Sequence, residues 1–151
     1  MPGFDQPKLA QVAIVVKDIE AAKLHYASLL NLPIPETIIT SPDAKQEFRG
    51  KPTTAQTKLA FFDLGGTQLE LVEPMGGDSA WQEGLDQNGE GLHHIAFWIP
   101  DGPDSKTGHF EHISRHNFTT IHRGQMGQNG EFAYHEGPHN LIFETLQSKT
   151  D

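Results

Sequence analysis

Two stretches of the chain carry the same pattern, and this repeat restricts the fold more than any other feature. QVAIVVKD (residues 11–18) runs parallel to HIAFWIPD (94–101). Both alternate apolar and other residues, and each precedes a candidate helix and a glycine-marked hairpin. The hairpins are KLAFFDLGGTQLELVEP (58–74) and EFAYHEGPHNLIFETLQ (131–147). One extra residue in the second turn aligns Glu70 with Glu144. A repeated unit of this size cannot bury its apolar face alone, so two copies must share a core. With 151 residues there is room for one compact domain or two half-size modules. The expected fold is α+β: two βαβββ modules, residues 8–75 and 91–148, forming a curved mixed sheet in one domain, 1–151.

Periodicity places the elements. A strand is expected over Leu9–Val16, with Asp18 capping a helix whose Ile19, Ala22, Tyr26, Leu29 and Leu30 form one apolar stripe. A short strand at Glu36–Ile39 leads into a polar loop through Gln56, which holds Lys45, Arg49 and Lys51 as a solvated cluster. Strands at Thr57–Leu64 and Gln68–Val72 flank a Gly65-Gly66 turn. Ser79–Gln87 reads as a linking helix. The second module opens at Leu92, continues through a helix at Ser105–His116, and ends in strands near Phe118–His122, Glu131–His135 and Leu141–Leu146. Gly124–Gly130 reads either as a lid or as an ordinary hairpin loop.

Side chains on a strand alternate faces, so period two sorts each strand into two rows. Val12, Ile14 and Val16 suit the helix side, as do Leu69 with Leu71 and Ile95 with Phe97 and Ile99. The opposite rows hold Gln11, Glu70, His94 and Glu144. Two modules related by a pseudo-twofold would bring those four together on one concave surface. Carboxylates set between apolar neighbours are costly to bury unless paired or bound to a metal. Two carboxylates, an imidazole and an amide oxygen suit a divalent first-row ion such as Zn, Ni, Co or Mn. His109, His112 and His116 share a helix face, read here as solvated. His93 is expected on the side away from His94, and His135 and His139 at the surface.

Composition excludes other classes. A net charge of −9 leaves no basic face for nucleic acid. The longest apolar run is far too short for a membrane span. No secretory signal opens the chain and cysteine is absent, so a cytoplasmic protein without disulfide or thiolate chemistry is expected.

At these residues the chain resembles the vicinal-oxygen-chelate superfamily, which includes glyoxalases and methylmalonyl-CoA epimerases. VAIVVKDIEAAKLHYASLLNLP (12–33) is similar to that family's first strand and helix. GGTQLELVEPMGGDSAWQEGLDQNGEGLHHIAFWIPD (65–101) is similar to the epimerases. The resemblance implies a glyoxalase-like fold and a homodimer, with one divalent metal on Gln11, Glu70, His94 and Glu144. It also implies a proton transfer beside a metal-bound carbonyl, with Glu144 and Glu70 as the catalytic carboxylates and Glu144 as the base. The substrate would be an acyl-CoA thioester, as in the epimerases, or a thiol–aldehyde adduct, as in lactoylglutathione lyase (glyoxalase I). The order Gln, Glu, His, Glu is the ligand set of zinc-type glyoxalase I, whereas epimerases usually begin with His and often have Gln second. Val15 and Pro74 stand where glyoxalase I has arginine and asparagine, and Thr54 falls near the epimerases' further catalytic glutamate. An extradiol dioxygenase would need two histidines in the set, and a metal-free binding or resistance protein would not need two inward carboxylates.

Overall fold

The computed structural model describes residues 7–99 and 105–148, with side chains of 105–107 excepted. Residues 1–6 and the end of the second repeat strand, Pro100 and Asp101, lie outside these. In chain order the elements are β1 (Leu9–Val15), α1 (Ile19–Leu30), β2 (Ile38–Ile39), β3 (Gln46–Phe48), β4 (Lys51–Pro52), β5 (Thr57–Asp63) and β6 (Gln68–Pro74). There follow α2 (Ala80–Asn88), β7 (Gly91–Trp98), α3 (Ser105–Arg115), β8 (Thr119–Met126), β9 (Gly130–Glu136) and β10 (Ile142–Ser148). All the strands join one ten-stranded sheet, in the order β2-β5-β6-β1-β7-β10-β9-β8-β3-β4.

The modules meet along β1 and β7, which pair antiparallel with Gln11 opposite Ala96, Val12 opposite Ile95 and Ala13 opposite His94. That register is itself twofold about the Val12–Ile95 pair. Outward from the seam each module repeats one step. β6 runs parallel to β1 and sets Glu70 beside Ala13; β10 runs parallel to β7 and sets Glu144 beside Ala96. The expected modules and their equivalent positions are therefore present in the strand register.

Connection lengths force the sheet to curl. β2 and β3 stand eight strand positions apart in the order, about 38 Å across a flat sheet at ~4.8 Å per strand. The seven residue steps from Ile39 to Gln46 reach at most about 25 Å. The two edges must therefore approach each other, and the sheet closes most of the way round a cleft. The polar loop expected through Gln56 is this crossing arm. Its β3 adds to the second module's edge strand, with Gln46, Glu47 and Phe48 opposite Gly124, Arg123 and His122.

Arg49, expected in a solvated cluster, is instead tied on both sides. Its guanidinium reaches Glu83 of α2 at 2.6 and 2.9 Å and Glu136 of β9 at 2.9 and 3.1 Å. Both carboxylates raise its pKa and hold it charged. The residue adopts a left-handed backbone (φ 49°), which turns the arm between β3 and β4.

Two clusters form the interior. On the helix side Val16, Ile19, Ala27, Ala60, Phe62 and Leu71 pack together. Asp18 caps α1 as expected, accepting from the Ala21 N–H at 3.1 Å. The stripe of α1 is rotated from the expected one. Ile19, Lys23 and Ala27 are buried and Ala22 and Tyr26 pack against the core, whereas Leu29, at the edge of that face, is 68% exposed. Lys23 tolerates burial by reaching Thr37 at 2.7 Å and Glu20 at 2.9 Å. The second cluster lines the concave side with Ala13, Val72, Ala80, Trp81, Ile121 and Tyr134.

Replacing Arg49 with Met should remove both paired contacts while keeping the aliphatic stem. The expected loss is about 0.5–1 kcal/mol in chemical denaturation, since the group is partly exposed, and it should shrink in high salt. A variant as stable as the parent at low salt would show that the network does not hold the arm.

Candidate active site

Glu70 and Glu144 reach their places through alanines. In the strand order Glu70, Ala13 and His94 form one transverse row, and Glu144, Ala96 and Gln11 the other. Ala13 and Ala96 are fully buried, and their small side chains leave room for the flanking groups to lean together. His94 Nε2 lies 3.3 Å from Glu144 Oε1 and 3.6 Å from Glu70 Oε1. Gln11 donates its amide N–H to Gln68 at 3.1 Å, and its Oε1 is buried without a partner. His94 Nε2 and Glu144 Oε1 are likewise buried without hydrogen bonds. The structure thus brings Glu70, His94 and Glu144 together, with Gln11 lining the same cleft as the two carboxylates.

Burial dominates the electrostatics. It pushes Glu70 up to about 8, with Glu144 adding to the rise and His94 opposing it. Burial likewise pushes Glu144 up to about 8, partly offset by a hydrogen bond from Tyr134. It pushes His94 down to about 4, against the pull of Glu70. Protonated carboxyls beside a neutral imidazole are therefore the preferred metal-free state.

Two of the donor separations match the spacing of ligands on a small dication. Ligands at ~2.1 Å around a tetrahedral centre lie about 3.4 Å apart, close to the two His94–carboxylate separations of 3.3 and 3.6 Å. Among the described residues, however, no three His, Asp or Glu groups are closed around a single point.

The cleft measures about 730 Å³ and is bounded by the crossing arm (Thr40, Asp43, Gln46), the β8–β9 hairpin (Met126, Gln128) and Phe61 of β5. Neither Lys nor Arg is among its lining residues. The Gly124–Gly130 segment is largely paired: β8 extends to Met126, β9 begins at Gly130, and Met126 and Gly130 are partners. It forms an ordinary hairpin whose tip borders the cleft. Thr54 lies exposed between β4 and β5.

Several histidines differ from expectation. The register between β1 and β7 slips at Ala13/Ile14, whose partners are His94 and Leu92, so His93 is a bulge residue. A bulge cancels the alternation of faces, and His93 Nδ1 lies 2.8 Å from His94 Nδ1. His109 is buried with Ile113 beneath α3 rather than solvated. His135 is fully buried between Thr120 (2.7 Å) and Thr145 (3.0 Å), while His139 is exposed in the turn after β9.

Sequence reasoning missed Tyr134 and Trp81. Tyr134 lies opposite Glu144 in the β9–β10 hairpin and hydrogen-bonds it, and Trp81 Nε1–H donates to the Tyr134 hydroxyl at 2.9 Å. The equivalent neighbour of Glu70 is Phe61. The carboxylates are thus inequivalent, one facing a phenol and the other a phenyl ring. Hairpin register would have exposed that difference from the sequence.

A twofold βαβββ sheet curled around a cleft of acids and imidazole is the architecture of glyoxalase-like proteins. Residues 10–134 match the Glyoxalase/Bleomycin resistance protein/Dioxygenase superfamily, and the chain belongs to it. A methylmalonyl-CoA epimerase from Streptomyces coelicolor, solved with 2-nitronate-propionyl-CoA, shares the fold with TM-score 0.64 at 20% identity, over 95% of this chain and 98% of that one. An epimerase structure with methylmalonyl-CoA and NH4+ gives TM-score 0.64 at 23% identity, over 94% of each chain. In sequence the chain is 34% identical over 92 residues to the Bacillus subtilis protein YqjC, covering 60% of this chain and 56% of that one. The human mitochondrial methylmalonyl-CoA epimerase is 30% identical over 93 residues, 61% of this chain and 46% of that one. The chain spans about half the length of the curated relatives it matches. Among the described residues no helix is long and apolar enough to cross a membrane.

The buried titrating groups dictate how the metal-free protein responds to pH. His93, His94, His122 and His135 are all lowered to about 3–4 from 6.5. Their stabilisation is present above pH 6.5 and is lost as pH falls. Glu70 and Glu144 are raised from 4.5 to about 8, so their stabilisation is lost as pH rises through 8. Below 6.5 four histidines outweigh two carboxyls; above it only the carboxyls act. Chelator-treated protein should therefore melt highest near pH 6.5 and lower at pH 8. Thermal scans across pH 5–8.5 test this, and a midpoint rising steadily to pH 8 would contradict the buried, protonated carboxyls.

Proposed function

We propose that this chain is a metal-dependent enzyme that transfers a proton at a carbon next to a substrate carbonyl, in the manner of methylmalonyl-CoA epimerase. The observation that carries the reading is a group of buried donor atoms without hydrogen-bond partners: Glu144 Oε1 and Gln11 Oε1, on residues that line the cleft, and His94 Nε2, 3.3 Å from Glu144, with Glu70 beside them. Leaving such atoms unpaired costs about 1–3 kcal/mol each, a cost that an ion would remove. Gln11, Glu70, His94 and Glu144 would hold one divalent ion, Zn, Ni, Co or Mn, with two carboxylates balancing its charge. The bound ion would act as a Lewis acid, making the adjacent C–H acidic.

The protein supplies the rest. Glu144 is the base that takes the proton: it lines the cleft, its Oε1 has no hydrogen-bond partner, and the hydrogen bond from Tyr134 gives the carboxylate an anchor as it moves. Glu70, beside Phe61, completes the charge balance, and the proton held by Glu144 is the one given back to the substrate. Return to the original carbon gives epimerisation, and return to its neighbour gives glyoxalase chemistry. Phe61, Leu59 and Leu146 make the cleft apolar around the reacting carbon and limit water.

An acyl-CoA thioester is the favoured substrate class, in keeping with the folds that match this one over nearly their full length. The second reading, a thiol–aldehyde adduct, is supported by the Gln, Glu, His, Glu donor order. The lack of Lys or Arg along the cleft bears on both: the anionic tail of either substrate would remain at or beyond the rim. We further propose that the chain works as a homodimer in the cytoplasm.

Protein purified without chelator should contain one divalent metal per chain, and His94→Ala should lose it; elemental analysis of both decides the donor set. Metal-free wild type, or metal unaffected by the substitution, would remove it.

Proton exchange separates the two carboxylates. With saturating metal, Glu144→Gln should slow deuterium incorporation from heavy water into an acyl-CoA or thiol–aldehyde substrate by roughly 10²–10⁴-fold. Glu70→Gln should be milder, as the epimerase resemblance implies Gln is tolerated there. Wild-type exchange in Glu144→Gln would exclude it as the base, and a larger defect in Glu70→Gln would reverse the assignment.

A further inference from the structure

The bulge in β7 brings together two histidines that regular alternation would separate, and the residue that anchors them lies outside the sheet. His93 Nε2 is 2.9 Å from the carbonyl of Ala80, the first residue of α2. A carbonyl only accepts, so His93 Nε2 carries a proton. The two Nδ1 atoms, 2.8 Å apart, share one proton between them. If His93 supplied it, this ring would hold both protons and a full charge at 7% exposure, an expensive arrangement. The proton therefore sits on His94 Nδ1, which donates to His93. The far nitrogen of His94 is then left as a lone pair, and it is the atom facing Glu144 and Glu70.

We propose that His93 is a positioning residue, anchored on the Ala80 carbonyl, that fixes His94 in the Nδ1–H tautomer and so presents its Nε2 lone pair to Glu70 and Glu144. The value of this arrangement to catalysis rests on the reading of His94 as a metal ligand; the tautomer itself does not. A ligand histidine whose other nitrogen is held by a partner is aimed and made more basic. Here the holding group is a second imidazole, and its own orientation is set by the helix that links the modules.

The same turn of α2 is fixed independently. The Ala80 N–H donates to His122 Nδ1 at 3.2 Å, and His122 Nε2–H donates to Gln46 at 3.0 Å. The Ala80 peptide is therefore gripped at both its N–H and its carbonyl. One turn further on, Gly84 lies against the same Nε2 edge of the His93 ring. A methyl group built there would sit 2.7 Å from His93 Cδ2 and 3.0 Å from Nε2, so the ring would have to move. Gly84 has no positive φ, so an alanine fits its backbone and only the imidazole stands in the way.

Two variants and two readouts test the proposal. The tautomer of His94 is read in metal-free protein from its ring carbon and nitrogen NMR shifts, and Zn²⁺ and Co²⁺ dissociation constants are measured by titration. Wild type should show a single Nδ1–H tautomer. His93→Phe, which keeps the ring but removes both nitrogens, should give a tautomer mixture and weaken metal binding about 10–100-fold. Gly84→Ala, which displaces the His93 ring without removing its nitrogens, should likewise give a tautomer mixture and weaken binding. A purely structural role for His93 would instead lower the unfolding midpoint and leave the His94 tautomer unchanged. An Nε2–H tautomer in wild type would overturn the proposal. So would an unchanged tautomer with metal affinity within about twofold of wild type in whichever variant folds. If His94→Ala leaves the metal in place, the metal-ligand reading fails while the tautomer result still stands.

Discussion

The antiparallel pairing of β1 with β7 is the constraint on which the rest of the structure depends. It is the one place where the two modules share a hydrogen-bonded ladder at the centre of the sheet. Its register sets Ala13 against His94 and Ala96 against Gln11. A slip of one residue would send all of these side chains to the opposite face. The parallel partners β6 and β10 then carry Glu70 and Glu144 to the flanks of the same two alanines. The donor set is thus a consequence of one register applied twice.

Carboxyls so placed are costly, and the surrounding structure shows how the cost is contained. Glu144 receives the Tyr134 hydroxyl, which in turn receives the Trp81 indole N–H, so a helix residue steadies a strand carboxylate. His94 is held through His93 by the carbonyl one residue earlier on that helix. α2 is the segment between the repeats and has no counterpart within either, yet it orients groups from β7 and β10 alike. Arg49 clamps α2 and β9 to the crossing arm at Glu83 and Glu136. Through this clamp the rim of the cleft and the support of its floor are mechanically one unit.

The pseudo-twofold also explains why the two carboxylates need not perform the same task. Equivalent strand positions hold Phe61 and Tyr134, and a phenol hydrogen bond favours the ionised form of Glu144 where a phenyl ring gives Glu70 none. Symmetry in the backbone places the pair, and a single hydroxyl distinguishes them. The negative overall charge and the lack of Lys or Arg along the cleft act in the same direction, giving it a field that favours cations over anions.

Much of this was legible in the sequence, because strand alternation and repeat equivalence are local rules. The two matching stretches determined the βαβββ modules, the cap at Asp18, the glycine turn, and the shared face of Glu70, His94 and Glu144. What failed were inferences that needed a neighbour distant in sequence. Nothing in residues 40–56 signals that Gln46–Phe48 pairs with a strand some eighty residues later, since three polar and aromatic residues have no periodicity of their own. A bulge at His93 breaks alternation where the sequence continues it, so only the ladder to β1 reveals that two neighbouring imidazoles touch. Leu29 fits the apolar stripe of α1 and is nevertheless exposed, because the buried face is centred on Ile19, Lys23 and Ala27. The sequence by itself placed Glu70, His94 and Glu144 on one face of the sheet. The tertiary structure decided their tautomer, their anchoring and their inequivalence, because those depend on hydrogen bonds from elements that approach only once the sheet has curled.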